Sequence, residues 1–273
     1  MEALKAIDDW PVAHAAVAVI DGRGVVARRG PTTLPLRIAS ISKLLTTCAL
    51  MIAVEEGTVA LDDPAGPPGS TLRHLLAHAS GYGFDSTASA LAAPGTRRIY
   101  SNRGIEEAAA HLAAAAGLPF ATYLHEAVLE PLGLGDTTLR TSAAFGIWST
   151  VDDLGRFAGE LFAPRLLAPA TLGEMVTVQF PGLSGVLPGV RRYERLDWGL
   201  GFERNFGTPG HWAGGRVSPA AYGHFGGSGT FLWLDPAAGL AVVMLADREF
   251  EEWGMAAWPP LCDAIVAEHT GRA

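Results

Sequence analysis

The sequence predicts a mixed α/β chain of the α+β type: an antiparallel sheet built from both ends of the polypeptide, flanked by N- and C-terminal helices, with an all-α domain inserted between. Three observations carry this expectation. Strand-like apolar runs joined by tight turns occur near both termini, a helix-length apolar run follows the first pair, and the middle of the chain is rich in Ala, Leu, Gly and Pro with few strand signals. The expected boundaries are 1–56 and 196–273 for the α/β domain and 57–195 for the mostly helical one, with a site in the cleft between them.

After a short N-terminal helical stretch, residues 15–20 and 25–28 read as two strands around Asp21-Gly22-Arg23-Gly24, an antiparallel hairpin. Residues 40–56 are almost all apolar, and Gly57 follows as a C-terminal stop; a helix apolar on every side is a buried one. Helical patches are predicted at 72–78, 104–116, 122–130 and 150–162, separated by Pro and Gly. Residues 231–234 and 240–245, joined by Asp235-Pro236-Ala237-Ala238-Gly239, read as a second hairpin. The tail from 251 to 269 reads as helical, with a break or a fresh start at Pro259-Pro260.

Composition narrows the function classes. A net charge of −8 and the lack of a basic run argue against nucleic acid and anionic membrane surfaces as partners. No apolar run reaches the roughly 18 residues of a membrane span, and the N-terminus lacks a basic region followed by an apolar core, so the expectation is a soluble cytoplasmic enzyme. Cys48 and Cys262 lie in apolar runs and read as buried free thiols. His74 and His78 have the spacing of a helix-face metal pair, but no third ligand accompanies them and a structural role is favoured; His125-Glu126 lacks a second His. There is no dinucleotide or phosphate-loop glycine pattern and no Gly-x-Ser-x-Gly, so neither a cofactor nor an α/β-hydrolase elbow is expected.

Of 20 basic residues only two are Lys, and one of them, Lys43, stands three residues after Ser40. On a helix, positions i and i+3 share a face, so the Lys43 amine can reach the Ser40 hydroxyl. Arginine stays protonated at any working pH, whereas burial can drive a lysine neutral and make it a base. The bland alternative makes Ser40 an N-cap and Lys43 a first-turn surface residue. The helix dipole disfavours a lysine there, and the residues that follow are too apolar for an exposed helix.

Further along stand Tyr100-Ser101-Asn102 and His224-Phe225-Gly226-Gly227. With Ser40-Ile41-Ser42-Lys43 these give, in order, Ser-x-x-Lys, Tyr-x-Asn and His-x-Gly. The chain thereby resembles the serine β-lactamase and penicillin-binding protein superfamily, specifically the group of class C β-lactamases, DD-peptidases and family VIII carboxylesterases. Connecting segments add to the likeness, among them Leu75-Leu76-Ala77-His78-Ala79-Ser80-Gly81, Pro131-Leu132-Gly133-Leu134 and Trp198-Gly199-Leu200-Gly201.

The resemblance implies a β-lactamase/transpeptidase-like fold and a cofactor-free serine hydrolase acting on a small-molecule acyl substrate. Ser40 would be the acylated nucleophile, Lys43 and Tyr100 would share removal of its proton, and Asn102 would orient Lys43 and a substrate carbonyl. His224 would tune Tyr100, the strand through Gly226 would border the cleft, and the Ser40 and Gly227 N–H groups would form the oxyanion hole. One departure stands out. Relatives that bind β-lactams or peptidoglycan stems usually carry Thr or Ser where this chain has Phe225, which favours a neutral ester. β-Lactamase or DD-peptidase activity is the alternative, followed by acyl transfer and by a non-catalytic binder. Trp148, Trp198 and Trp212 are candidates for an apolar acyl pocket.

Overall fold

The structure, a computed structural model, describes residues 1–85 and 89–271. The strands are β1 (Ala15–Asp21), β2 (Gly24–Arg29), β3 (Leu36–Arg37), β4 (Arg98–Ile99), β5 (Thr138–Leu139), β6 (Ile147–Ser149), β7 (Gly185–Leu187), β8 (Arg191–Tyr193), β9 (Tyr222–Gly226), β10 (Thr230–Asp235) and β11 (Leu240–Ala246). The helices are α1 (Ser42–Glu55), α2 (Leu72–Leu76), α3 (Asn102–Ala116), α4 (Phe120–Leu124, running on as a π-turn His125–Leu129), α5 (Val151–Phe162), α6 (Pro169–Val176) and α7 (Glu252–Thr270). A 3₁₀ helix occupies Glu2–Asp9.

Both predicted hairpins form and meet in one antiparallel sheet of order β2-β1-β11-β10-β9, in which the N-terminal β1 pairs with the C-terminal β11. The alternation of side chains divides the core in two. Ala16, Ala18, Ile20, Leu232, Leu234, Val243 and Leu245 face one cluster, which holds α1, α3 and α5. Val17, Val19, Phe231, Trp233, Val242 and Met244 face the other, closed by α7 through Trp258, Leu261 and Ile265 and by Leu4 and Ile7. Because β10 and β11 are covered on both faces, they read as continuous apolar runs.

Helix α1 lies inside the first cluster with Leu44, Leu45, Ala49 and Leu50 fully buried. Each such leucine contributes roughly 1.5–3 kcal/mol. The helix stops at Gly57, whose φ of 74° lies in the left-handed region. It starts later than predicted, however: Ala39–Ile41 form a separate 3₁₀ turn and the α-helix begins at Ser42. The predicted break in the tail is also absent, since α7 runs through Pro259 and Pro260. Interior prolines cost about 3 kcal/mol or more each. The carbonyls they leave without a helical donor belong to Met255 and to solvent-exposed Ala256, while Trp258, Leu261, Cys262 and Ile265 stay locked in the core.

The middle of the chain carries the predicted helices together with α6 and two three-stranded sheets, β3-β6-β5 and β4-β7-β8, that were not anticipated. Their strands span two or three residues, too few for a period-two signal. No single helix among the described residues is long and apolar enough to cross a membrane.

Candidate active site

Ser40 sits on a turn held from three sides. Ile38 N–H donates to the Ile147 carbonyl at 3.0 Å, Ser228 Oγ donates to the Arg37 carbonyl at 2.6 Å, and Thr230 Oγ1 donates to the Ile38 carbonyl at 3.1 Å. These contacts fix Ala39 at φ 42°, a left-handed conformation that costs a non-glycine residue about 1–2 kcal/mol. The end of β9 presses against the same turn: a Cβ on Gly226 would collide with the Ile38 carbonyl and Thr230 Oγ1. Only glycine lets β9 approach Ser40 this closely.

Lys43, on the first turn of α1, is wholly buried. Its Nζ donates to Asn102 Oδ1 at 2.7 Å, to the Ala144 carbonyl at 2.9 Å and to Ser40 Oγ at 3.1 Å. Burial pulls its pKa down from the ordinary lysine range to about 7, against the upward pull of Glu106 and Asp85. The Asn102 and Ala144 oxygens can only accept. A neutral amine therefore keeps its two hydrogens on them and aims its lone pair at the Ser40 hydroxyl.

Two carboxylates build this arrangement. Asp85 accepts from Asn102 Nδ2 at 2.8 Å, which fixes the amide so that its oxygen faces Lys43. Glu106 accepts from Ala144 N–H at 3.1 Å and from the Ser142 hydroxyl, holding the loop that presents the Ala144 carbonyl. Sequence reasoning missed both. Glu106 lies one turn after Asn102 on α3, the one signal that could have singled it out.

Tyr100 also borders Ser40, and the Lys43 Nζ is 4.8 Å from the centre of its ring. His224 Nδ1 is 2.6 Å from the Phe225 carbonyl, an acceptor, so Nδ1 carries the proton. Burial and the Lys43 charge push the His224 pKa down to about 3. The ring is neutral, its Nε2 accepts, and the Tyr100 hydroxyl donates to it at 3.3 Å. Burial drives the Tyr100 phenol well above its ordinary range, opposed by its hydrogen bond with Ser40. Tyr100 is thus a protonated phenol between Ser40 and His224, backed by His78 and Trp198 at ring distances of 4.5 and 5.7 Å.

A cavity of about 230 Å³ opens over Ser40, Tyr100, His224 and Gly227. Its walls are Phe84, Leu187, Pro188, Phe225 and Phe250, with Glu249 at one side. Among the described residues no Lys or Arg lines it, and Glu249 is paired with Arg37 at 2.5 Å. Every residue expected at the site is therefore brought together: Ser40, Lys43, Tyr100, Asn102, His224, Phe225, Gly226 and Gly227.

One expectation needs correction. Trp198 and Trp212 are buried behind the site, Trp212 donating to Glu203 at 3.0 Å, and Trp148 lies beneath Arg140; none lines the cavity. The aromatic walls are phenylalanines instead. Phe225 both lines the cavity and belongs to the core, on the sheet face opposite His224 and packed on Phe250 at 4.8 Å. Of the two candidate bases, Tyr100 has its pKa raised by burial and Lys43 has its pKa lowered by burial, so Lys43 is the one more readily neutral.

His74 stacks on Phe180 and bonds to Thr71, away from His78, whose Nδ1 accepts from Ser101 N–H. Among the described residues no group of three His, Cys, Asp or Glu could hold a metal. Cys48 and Cys262 are buried free thiols, pushed up to about 12.

A family profile described as Beta-lactamase matches residues 11–262. The chain belongs to the beta-lactamase family. Over 174 residues it is 32% identical to the D-alanyl-D-alanine-carboxypeptidase/endopeptidase AmpH of Escherichia coli, a match covering 46% of this chain and 45% of that protein, so it spans about half the length of this relative. A crystal structure of a beta-lactamase (Mb2281c) from Mycobacterium bovis is 50% identical, with a TM-score of 0.95 over 98% of this chain and 99% of that one. EstCE1, a hydrolase with promiscuous acyltransferase activity, shares the fold at 20% identity, with a TM-score of 0.77 over 97% and 96% of the two chains. This beta-lactamase-family chain thus has the expected fold, and the family and its relatives are serine hydrolases.

Proposed function

We propose that this protein is a serine carboxylesterase that cleaves small neutral esters through an acyl-enzyme on Ser40. The observation that carries the nucleophile is the Lys43 amine, held by two acceptor-only partners with its third direction on Ser40 Oγ. Neutral Lys43 takes the hydroxyl proton as Oγ attacks the ester carbonyl. The oxyanion forms against the N–H groups of Ser40 and Gly227, each such donor being worth about 3 kcal/mol. Collapse expels the alkoxide, which takes a proton from Tyr100, and the proton that Lys43 took from Ser40 then restores the Tyr100 phenol, the Lys43 ammonium lying 4.8 Å from the centre of the tyrosine ring. Water then repeats the sequence on the acyl-enzyme, with the same groups moving its proton.

The choice of a neutral ester rests on the cavity walls. β-Lactams and peptidoglycan stems present a carboxylate, whereas this cavity offers five apolar side chains, a neutral imidazole and the Glu249 carboxylate. A peptide would also align its backbone along the end of β9, and there the Gly227 carbonyl already accepts Phe250 N–H at 2.7 Å. The Mycobacterium bovis relative described as a beta-lactamase favours the second reading, β-lactam hydrolysis. Rates of wild type and Ser40→Ala on p-nitrophenyl acetate, nitrocefin and a D-Ala-D-Ala dipeptide separate the two. The esterase reading expects Ser40-dependent turnover of the acetate at least tenfold above nitrocefin; the reverse order sinks it.

A further inference from the structure

Beside the Ser40 cavity lies a second, more open groove of about 400 Å³, and the two share Phe84, Tyr100 and Pro188. Its remaining apolar lining is Leu91, Ile99 and Val186. Six large hydrophobic side chains are exposed among the described residues, and three of them, Phe84 (46%), Leu91 (63%) and Val186 (51%), line this one groove. Such clustering marks a binding surface, whereas single exposed apolar residues need no explanation.

The groove is built rather than incidental. Ile99 and Val186 are register partners in the parallel pair β4 and β7. That sheet is anchored by buried Arg98, whose guanidinium is taken up by the carbonyls of Ala77, Gln179, Phe180 and Leu196, while exposed Arg97 also borders the groove. Leu91 N–H donates to the Gly81 carbonyl at 2.8 Å, and the Phe84 carbonyl accepts from Asn102 N–H at 2.8 Å, so both rims are tied to the site.

We propose that this groove receives the alcohol arm of the ester, making the preferred substrates short-acyl esters of elongated apolar alcohols. The assignment rests on the esterase reading. The group that protonates the departing oxygen must lie beside it, and that group, Tyr100, is the residue through which cavity and groove communicate. The acyl arm stays on the Gly227 side, where Phe225 and Phe250 close the smaller cavity.

The test compares wild type, Val186→Asp, Leu91→Asp and the distant exposed control Leu118→Asp. Acetates of ethyl, butyl, hexyl and octyl alcohol are assayed by pH-stat, and p-nitrophenyl acetate, butyrate and octanoate vary the acyl arm. Wild-type kcat/KM should rise about twofold per alcohol methylene, half the roughly fourfold per fully buried methylene, because the groove is open on one side. It should fall beyond butyrate in the acyl series. Val186→Asp and Leu91→Asp should flatten the alcohol dependence, and Leu118→Asp should keep it. A flat wild-type alcohol series, an unchanged slope in both groove variants, or chain-length preference moving to the acyl arm overturns the proposal while p-nitrophenyl acetate is still turned over. Loss of that turnover and of any Ser40 adduct in wild type removes the esterase reading itself, and the groove assignment with it.

Discussion

Replacing Lys43 by Arg keeps a positive charge in the site and removes the possibility of a base. With a pKa of about 7, roughly nine tenths of Lys43 is neutral at pH 8. A guanidinium, with a pKa of about 12.5 or more, is neutral in less than about one molecule in ten thousand at that pH. General-base assistance is worth on the order of 10²- to 10⁴-fold, and Lys43→Arg should lose that much in the acylation rate. Stopped-flow release of p-nitrophenolate under single-turnover conditions reads the rate directly, with a thermal melt to establish that the variant folds. The wild-type rate should also climb about tenfold per pH unit below 7 and level off above about pH 8, as the amine loses its proton. A Lys43→Arg rate within about tenfold of wild type, or a flat wild-type profile from pH 6 to pH 8, would refute Lys43 as the base.

The same burial has a thermodynamic consequence. Because the folded pKa of Lys43 lies below the unfolded value of about 10.4, the unfolded chain binds more protons between the two, and stability falls as pH drops from 10 towards 7. Urea melts of wild type and Lys43→Met should therefore show the difference moving in favour of the variant by on the order of 3 kcal/mol between pH 9.5 and pH 6.5. Glu249→Gln should raise kcat/KM for an anionic ester, relative to p-nitrophenyl acetate, by roughly fivefold, the equivalent of about 1 kcal/mol for a charge 4 Å away in water; an unchanged ratio means the carboxylate does not select against anions. Gly226→Ala should lower the denaturation midpoint by the equivalent of about 1–3 kcal/mol and depress activity further, since the new Cβ drives β9 away from the Ser40 turn.

What the sequence disclosed followed the range of its physical signals. The hairpins were legible because turn residues at 21–24 and 235–239 separate short apolar runs, and α1 because fourteen residues without a polar face have nowhere to go but the core. Ser40 and Lys43 were legible as a local pair, though the 3₁₀ turn that presents Ser40 was not. That turn exists because Ser228 and Thr230, almost two hundred residues away, take up the Arg37 and Ile38 carbonyls. Asp85, Glu106 and the Ala144 carbonyl were hidden for the same reason, since a carboxylate that orients an amide, or a bare carbonyl, has no signature of its own. The prolines of α7 misled because local propensity carries no information about Trp258 and Ile265, whose burial keeps the helix whole. The tryptophans misled because residue type alone does not distinguish a wall of the cavity from the core behind it.

The central claim is that Ser40 forms a covalent acyl intermediate made possible by a neutral Lys43. Intact mass spectrometry of wild type quenched in acid during turnover of p-nitrophenyl acetate, followed by peptide mapping, tests it most directly. Wild type should carry one added acetyl group located on Ser40, absent from Ser40→Ala and strongly depleted in Lys43→Arg. An acetyl group on any other residue, or an unmodified wild type turning over at full rate, would contradict it.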